Sequence, residues 1–383
     1  MDPTAYSEEQ QLIIRTVRDF ARREVAPGAE DRDRTSAFDY DLYRRLGDLG
    51  VPGMLYPDSI GGTDAGALSF CLALEEISRV DLSLGWVLWV GAGGGRALLR
   101  GSPEQREAWM ERFILPMLRG EMVSAGGITE PDAGSDTAGI QTRAVRDGDS
   151  WILNGSKLFI SNAGLATCGY VSVLARVEDG FGLFLVPTGT PGYTMGPPLR
   201  KMGLHSADTR QLFFGDCRIP SWHRTDGTGG AARDQVVGAG FALTRVYVAA
   251  QAVGLAAECL DVSLEHVRTR RAFRRTLGQF QHVQAMIVDM HVGIEAGRAL
   301  RDRAARLADA GERYVREAAV AKMYCTEMAK KAADDAVQLF GGLGFMDETP
   351  VSRYYRDIRA STIAEGTTQI QQHIIARELG ALS

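Results

Sequence analysis

The chain reads as an α+β, multi-domain protein: a helical region, a strand-rich region, then helices again. Three observations predict this. Apolar residues recur at helical spacing through the first 120 or so positions, as in Ile13, Val17 and Phe20. Between residues 123 and 232 short apolar runs alternate with turn residues. From Val246 onward, Ala250, Val253, Ala257, Leu260, Leu264 and Val267 follow steps of four and three, a seam for packing helix on helix. The expected units are an N-terminal α-helical domain (1–122), a middle β domain (123–232) and a C-terminal α-helical domain (233–383). The length of 383 residues is ample for more than one core.

The elements can be justified in order. Ser7-Glu8-Glu9-Gln10 has capping-box spacing ahead of the first helix, and Pro27-Gly28 is expected to stop that run. Ser102-Pro103-Glu104-Gln105 repeats the pattern with proline at the first helical position, and Trp109 and Phe113 then share a face. Asn154-Gly155 between Trp151-Ile152-Leu153 and Leu158-Phe159-Ile160 predicts a hairpin turn, because both residues tolerate positive φ. Residues 170–177, 182–186 and 211–214 read as further strands of a compact antiparallel domain. Val283, Met286, Met290 and Ile294 mark a second C-terminal helix, and Asp302 to Phe340 carries one or two more.

Composition narrows the function classes. A net charge of −5 gives no whole-chain drive toward nucleic acid. Lysines number five against 38 arginines, a skew that suggests a GC-rich genome more than a binding surface. The five cysteines are far apart and form no CxxC pair, and the six histidines are scattered, so neither a disulfide framework nor a metal site is expected. A reducing cytoplasm is the expected compartment. No run of 18 apolar residues occurs, so no membrane span is expected. Met1-Asp2-Pro3 lacks a basic segment followed by an apolar run, so no secretory or transit peptide is read there.

Four segments carry candidate chemistry. Thr129-Glu130-Pro131-Asp132-Ala133-Gly134-Ser135-Asp136 offers small residues, backbone N–H groups and hydroxyls to a ligand; a polar junction loop would look the same. Phe159-Ile160-Ser161 puts an aromatic and a hydroxyl on one side of a strand, which suits a flat heteroaromatic group, though Phe159 could equally face a core. Arg270-Arg271-Ala272-Phe273 could read a pyrophosphate or be a solvated helix end. Glu365 stands among apolar residues and glycine before a helix start, where burial would raise its pKa toward that of a useful base; it could also be a capping acid.

Together these segments resemble the acyl-CoA dehydrogenase family along essentially the whole chain. Thr129–Asp136 matches its TEPxAGSD pattern, and Phe159-Ile160-Ser161 its flavin strand. Lys201-Met202-Gly203, Asp208-Thr209 and Phe214 to Pro220 follow the family's order. So do Arg270, Phe273, Phe280-Gln281, Val283-Gln284 and Asp289-Met290. Gln338 to Gly342, Arg353-Tyr354-Tyr355-Arg356-Asp357 and Glu365-Gly366-Thr367 complete the series. The resemblance implies a middle β-barrel-like domain, a C-terminal four-helix bundle and FAD at the junction. It implies FAD contacts from Ile128, Thr129, Phe159, Ile160, Ser161, Gln338, Gly342 and Thr367. Arg270, Phe273 and Gln281 would come from a neighbouring subunit of a homotetramer or homodimer. Ser135, Arg245, Ala364 and Gly366 would bind substrate.

The implied reaction is α,β-dehydrogenation of an acyl thioester, on CoA or on a carrier protein. Glu365 would take the α-proton and an electron-transferring flavoprotein would receive the electrons. The thioester oxygen would be held by a flavin ribityl hydroxyl and the N–H of Glu365. Thr244 occupies the position where a family subgroup carries its base. An oxidase using oxygen and a non-catalytic FAD scaffold are the alternatives.

Several positions depart from the family pattern. Ala364 stands where many members have Tyr, and Gly91–Gly95 lies where the acyl tail is lined, so the cluster serves either close helix packing or a wide pocket. Ala242 replaces an Asp near the CoA end. Arg274 replaces a Gly and His205 an Arg, changes expected to bear on the FAD end or a subunit contact.

Overall fold

The computed structural model describes residues 6–226, 232–234 and 240–381; Met1-Asp2-Pro3 lies outside them. Helix α1 (Glu8–Phe20) begins with the expected capping box. The Gln10 N–H donates to Ser7 Oγ, and the Ser7 N–H donates to Gln10 Oε1. Pro27-Gly28 does not stop the chain. A π turn (Ala21–Val25) and a 3-10 turn (Ala26–Gly28) carry it into α2 (Ala29–Thr35), because a proline at the start of a turn has no N–H to lose. Then come α3 (Tyr40–Asp48), α4 (Gly66–Val80), α5 (Leu82–Leu98), α6 (Pro103–Trp109) and α7 (Leu115–Leu118). The second capping box, on Ser102 and Gln105, is also present.

The strands are β1 (Val123–Gly127), β2 (Arg143–Asp147), β3 (Ser150–Ser161), β4 (Cys168–Val177), β5 (Gly180–Pro187), β6 (Tyr193–Met195) and β7 (Thr209–Pro220). They lie in the order β1-β4-β2-β3-β7-β6, with β5 on β4. The sheet is mixed rather than purely antiparallel, since β1 joins β4 in parallel. The predicted hairpin at Asn154-Gly155 is not there. β3 runs straight through it as one 12-residue strand, and the turn falls at Gly148 (φ 57°), between Asp147 and Ser150. The Asn154 side chain bonds Asp216 on β7 in both directions, which holds it in the sheet. A Cβ on Gly155 would strike Thr142, so the glycine serves close packing at a bulge.

After a short α8 (Ala232–Asp234) come α9 (Phe241–Thr269), a small ribbon of β8 (Arg271–Ala272) and β9 (Arg275–Thr276), α10 (Gln281–Asp309), α11 (Val315–Phe340), α12 (Pro350–Ile358) and α13 (Thr368–Glu378). Helix α9 is long and apolar enough to cross a membrane by length and composition, yet it is mostly buried inside the protein, packed by α4, α10 and α11. One continuous apolar cluster contains Leu74, Leu88, Val123, Ile160, Ala252 and Ala329, so the three regions share a core. The motif around Lys201-Met202-Gly203 docks on α12. The Leu204 N–H donates to Asp357 at 2.6 Å, and His205 pairs with Asp33 at 3.0 Å beside Arg356. His205 is thus engaged within its own chain.

Three glycines of α5 serve packing, while Gly93 faces open space. A Cβ on Gly94 would collide with Ser124 and one on Gly95 with Tyr56, while Gly91 stands against Val123 and Tyr43. Ser124 Oγ donates to the Gly91 carbonyl at 3.1 Å. Only this close approach lets α5 lie on β1, so these three glycines do not carry the wide-pocket expectation.

Candidate active site

The loop 363–367 holds the acid. Glu365 has φ +55°, a left-handed backbone that a non-glycine residue adopts only when its surroundings hold it there, and Gly366 follows at φ +89°. Those surroundings are visible. Arg245 Nε donates to the Glu365 carbonyl at 3.2 Å, and Gln371 Nε2 donates to the same carbonyl at 3.1 Å. The Gly366 carbonyl accepts from Lys322 Nζ and from Gln371, each at 2.8 Å. A Cβ on Gly366 would sit 2.8 Å from Gln371 Nε2, so the glycine protects this clamp. Thr367, not Glu365, is the helix cap: its Oγ1 accepts the Ile370 N–H at the start of α13. The capping-acid reading of Glu365 therefore has no place here.

The Glu365 carboxyl accepts a hydrogen bond from the Thr244 hydroxyl. Burial raises its pKa above the ordinary 4.5, against the opposing pull of that bond and of the Arg245 and Lys322 charges. Burial pushes Lys322 down to about 8. Arg245 is 2% exposed and belongs to the floor under the loop. Ala364 is half-buried against the core beside it.

A second group gathers at the edge of β3. Phe159 has φ +61°, sits where the register of β3 on β7 shifts, and is 64% exposed. A large aromatic in solvent on strained backbone offers a face on which a flat group could stack. Ile160 is buried behind it, and Ser161 Oγ accepts from Trp86 Nε1 at 3.1 Å. Ile128 and Thr129 are tied to this strand: Lys157 Nζ donates to the Ile128 carbonyl at 3.0 Å and the Leu158 N–H to the Thr129 carbonyl at 2.8 Å. Lys157 also pairs with Glu130 at 2.8 Å with both side chains buried. Burial lowers Lys157 to about 8. Burial also pushes Glu130 up, but bonds from Lys157, Thr142 and the Gln141 N–H outweigh it and hold the carboxyl below the usual range. Ser135 is exposed further along this loop, and Gly134 has open space where a Cβ would be.

The third group projects from the helices. Arg270 ends α9, Phe273 is 89% exposed in the β8–β9 turn, and Gln281 opens α10 on the surface. Phe273 and Arg274 are both left-handed (φ 49° and 66°), so Arg274 takes the backbone that glycine suits better. Gln338 and Gly342 are exposed at and after the end of α11, and Gly341 and Gly342 face open space. The structure thus joins Glu365, Gly366 and Arg245 by contact, and Ile128 and Thr129 with the Phe159–Ser161 strand. It leaves Arg270, Phe273, Gln281, Gln338 and Gly342 on exposed surface.

The donor set and open surfaces fit a flavin dinucleotide: an exposed aromatic beside a hydroxyl, free arginine edges for phosphate, and glycines that leave room. The sequence did not point to Thr244 as a partner of Glu365, or to Lys322, Gln371, Lys157 and Trp86.

Comparison with known proteins agrees. Three family models match: acyl-CoA dehydrogenase N-terminal domain at 7–115, middle domain at 125–217 and C-terminal domain at 235–380. The human mitochondrial short-chain specific acyl-CoA dehydrogenase is 36% identical over 379 residues, covering 97% of this chain and 90% of that protein. Butyryl-CoA dehydrogenase from Megasphaera elsdenii superposes with TM-score 0.93 at 32% identity, covering 99% of this chain and 100% of that one. A chain solved in work on the electron transferring flavoprotein of Acidaminococcus fermentans gives TM-score 0.94 at 34% identity, covering 99% of each chain.

Proposed function

Because this chain belongs to the acyl-CoA dehydrogenase family, and is therefore an FAD-dependent oxidoreductase acting on acyl-CoA, we propose that Glu365 is its base and a short-chain acyl-CoA its substrate. The oxidase and scaffold alternatives are not favoured, as the curated relatives this chain matches are named dehydrogenases.

The observation that carries the reading is the clamped, left-handed loop that presents the carboxyl of half-buried Glu365 to Thr244. FAD, when bound, would supply the acceptor for a hydride from the β-carbon. The chain's own residues do the rest. Glu365 removes the α-proton, and its raised pKa brings the carboxylate nearer the strength a base needs. Its main-chain N–H donates to the thioester oxygen as negative charge develops there. Arg245, Lys322 and Gln371 fix the loop so that the base meets the α-carbon in one orientation. Ala364 and Gly366 border the acyl group, and Ser135 and Arg245 serve the carrier side, Arg245 from beneath the loop.

Ile128, Thr129, Phe159, Ile160 and Ser161 would hold the flavin ring, with the Ser161 hydroxyl available to its edge. Thr367, Gln338 and Gly342 border the dinucleotide. Arg270, Phe273 and Gln281 reach a neighbouring subunit's FAD in a cytoplasmic homotetramer or homodimer. Exposed Phe273, Val288, Val292, Leu343 and Phe345 support that assembly. Electrons pass on to an electron-transferring flavoprotein. The short-chain relatives, and Trp86 standing against Ser161, support a small acyl group.

Anaerobic addition of butyryl-CoA is expected to bleach the yellow of the bound flavin, faster than longer or cyclic acyl-CoAs do. Glu365→Gln is expected to slow it by at least a thousandfold, on the order of a lost general base with its positioning. A Glu365→Gln enzyme that bleaches at the wild-type rate sinks this assignment.

A further inference from the structure

Trp86 stands on α5 and is 7% exposed; its Nε1 donates to Ser161 Oγ at 3.1 Å. An indole N–H can only donate, whereas a serine hydroxyl carries one proton and two lone pairs. With one lone pair engaged by Trp86, the serine rotor is fixed and its single proton is directed away from the indole. The indole is itself braced. Trp89, one turn on, meets it edge-on with ring centroids 5.2 Å apart. Trp89 Nε1 donates to Gln251 Oε1 at 2.7 Å, and the fully buried Gln251 donates from Nε2 to Ser78 Oγ at 3.3 Å. A chain of contacts thus runs from α4 through α9 and α5 to the β3 edge. Such networks hold one geometry when every member is paired.

We infer that Trp86 is a positioning residue that sets the Ser161 hydroxyl as a hydrogen-bond donor toward the flavin edge. The inference rests on the assignment of Ser161 to the flavin. It concerns how that hydroxyl is held, not whether it is there.

The test compares holoenzymes of wild type, Trp86→Phe, Ser161→Ala and the double variant. It reads the visible absorption bands of the bound FAD together with kcat and KM for butyryl-CoA. Trp86→Phe keeps an aromatic ring, though a smaller one, and removes the N–H. It is expected to move the flavin bands in the same direction as Ser161→Ala and to lower kcat about fivefold, the scale of one hydrogen bond, with KM within about twofold. The double variant is expected to be no worse than Ser161→Ala alone, since Trp86 acts through Ser161. If Trp86→Phe keeps wild-type bands and kcat while Ser161→Ala changes both, the Trp86 role is refuted and the flavin assignment stands. Additive losses in the double variant likewise refute it, because Trp86 would then act by packing alone. If Ser161→Ala itself changes nothing, both fall together. Should Trp86→Phe fail to fold, 3-benzothienylalanine installed at position 86 keeps the shape of tryptophan without its N–H, and the same outcomes decide.

Discussion

The Thr244 hydroxyl donates to Oε2 of Glu365, joining α9 to the loop before α13 across 121 positions of sequence. Position 244 is therefore a support for the acid rather than a spare site beside it. The bond favours the ionised carboxyl, and burial opposes it.

Removing that support has a direction. Thr244→Val keeps the shape and deletes the donor, so the Glu365 pKa rises further. The acid limb of the kcat/KM profile is expected to move to higher pH. Turnover near neutrality should fall roughly tenfold, the scale of a hydrogen bond to a charged group, and recover in alkaline buffer. Steady-state assays across pH check it. A uniform loss with an unmoved profile would show that Thr244 only packs.

Glu365 should also cost stability above its pKa. A carboxyl with a folded-state pKa above the ordinary 4.5 binds its proton more tightly when folded, so its favourable contribution is complete below the unfolded value and fades as pH rises through the folded one. Glu365→Gln can still accept from Thr244 and never ionises. It is expected to melt at a higher temperature than wild type at pH 8, and at the same temperature near pH 4. Thermal melts over that range decide the matter; a gap that widens on acidification contradicts the sign.

The Lys157–Glu130 pair is buried on both sides and anchors the Thr129 loop to β3. Lys157→Met leaves the Glu130 carboxylate without its partner. A loss of about 3–5 kcal/mol is expected in denaturant unfolding, with weaker retention of FAD. Lys157→Met with Glu130→Gln should recover most of that loss. A single variant as stable as wild type would show that Glu130 is not held as an ion.

Much of this site was legible in the sequence because its chemistry sits in short runs. Glu365-Gly366-Thr367, Phe159-Ile160-Ser161 and Thr129–Asp136 each place a reactive or donor group beside a glycine or an aromatic, and local patterns of that kind survive without coordinates. The strand turn was misread for a related reason. Asn154-Gly155 has the chemistry of a hairpin turn, but Thr142 and Asp216 lie elsewhere in the chain, and they decide that the dipeptide stays in a strand. The glycines of α5 were ambiguous in the same way, since a missing Cβ admits a ligand and a neighbouring strand equally well; Ser124 and Tyr56 decide it for Gly94 and Gly95, while Gly93 faces open space.

By itself the sequence determined the order of helices, strands and helices and both capping boxes, and it singled out Glu365 as the candidate acid. These depend on spacing within a few residues, where propensity and hydrogen-bond reach act. Only the tertiary structure decided that Thr244 touches Glu365, that Arg245 and Gln371 hold its carbonyl, and that Trp86 reaches Ser161. Each of those joins residues far apart along the chain, and a hydrogen bond of about three ångströms is a property of packing rather than of sequence distance.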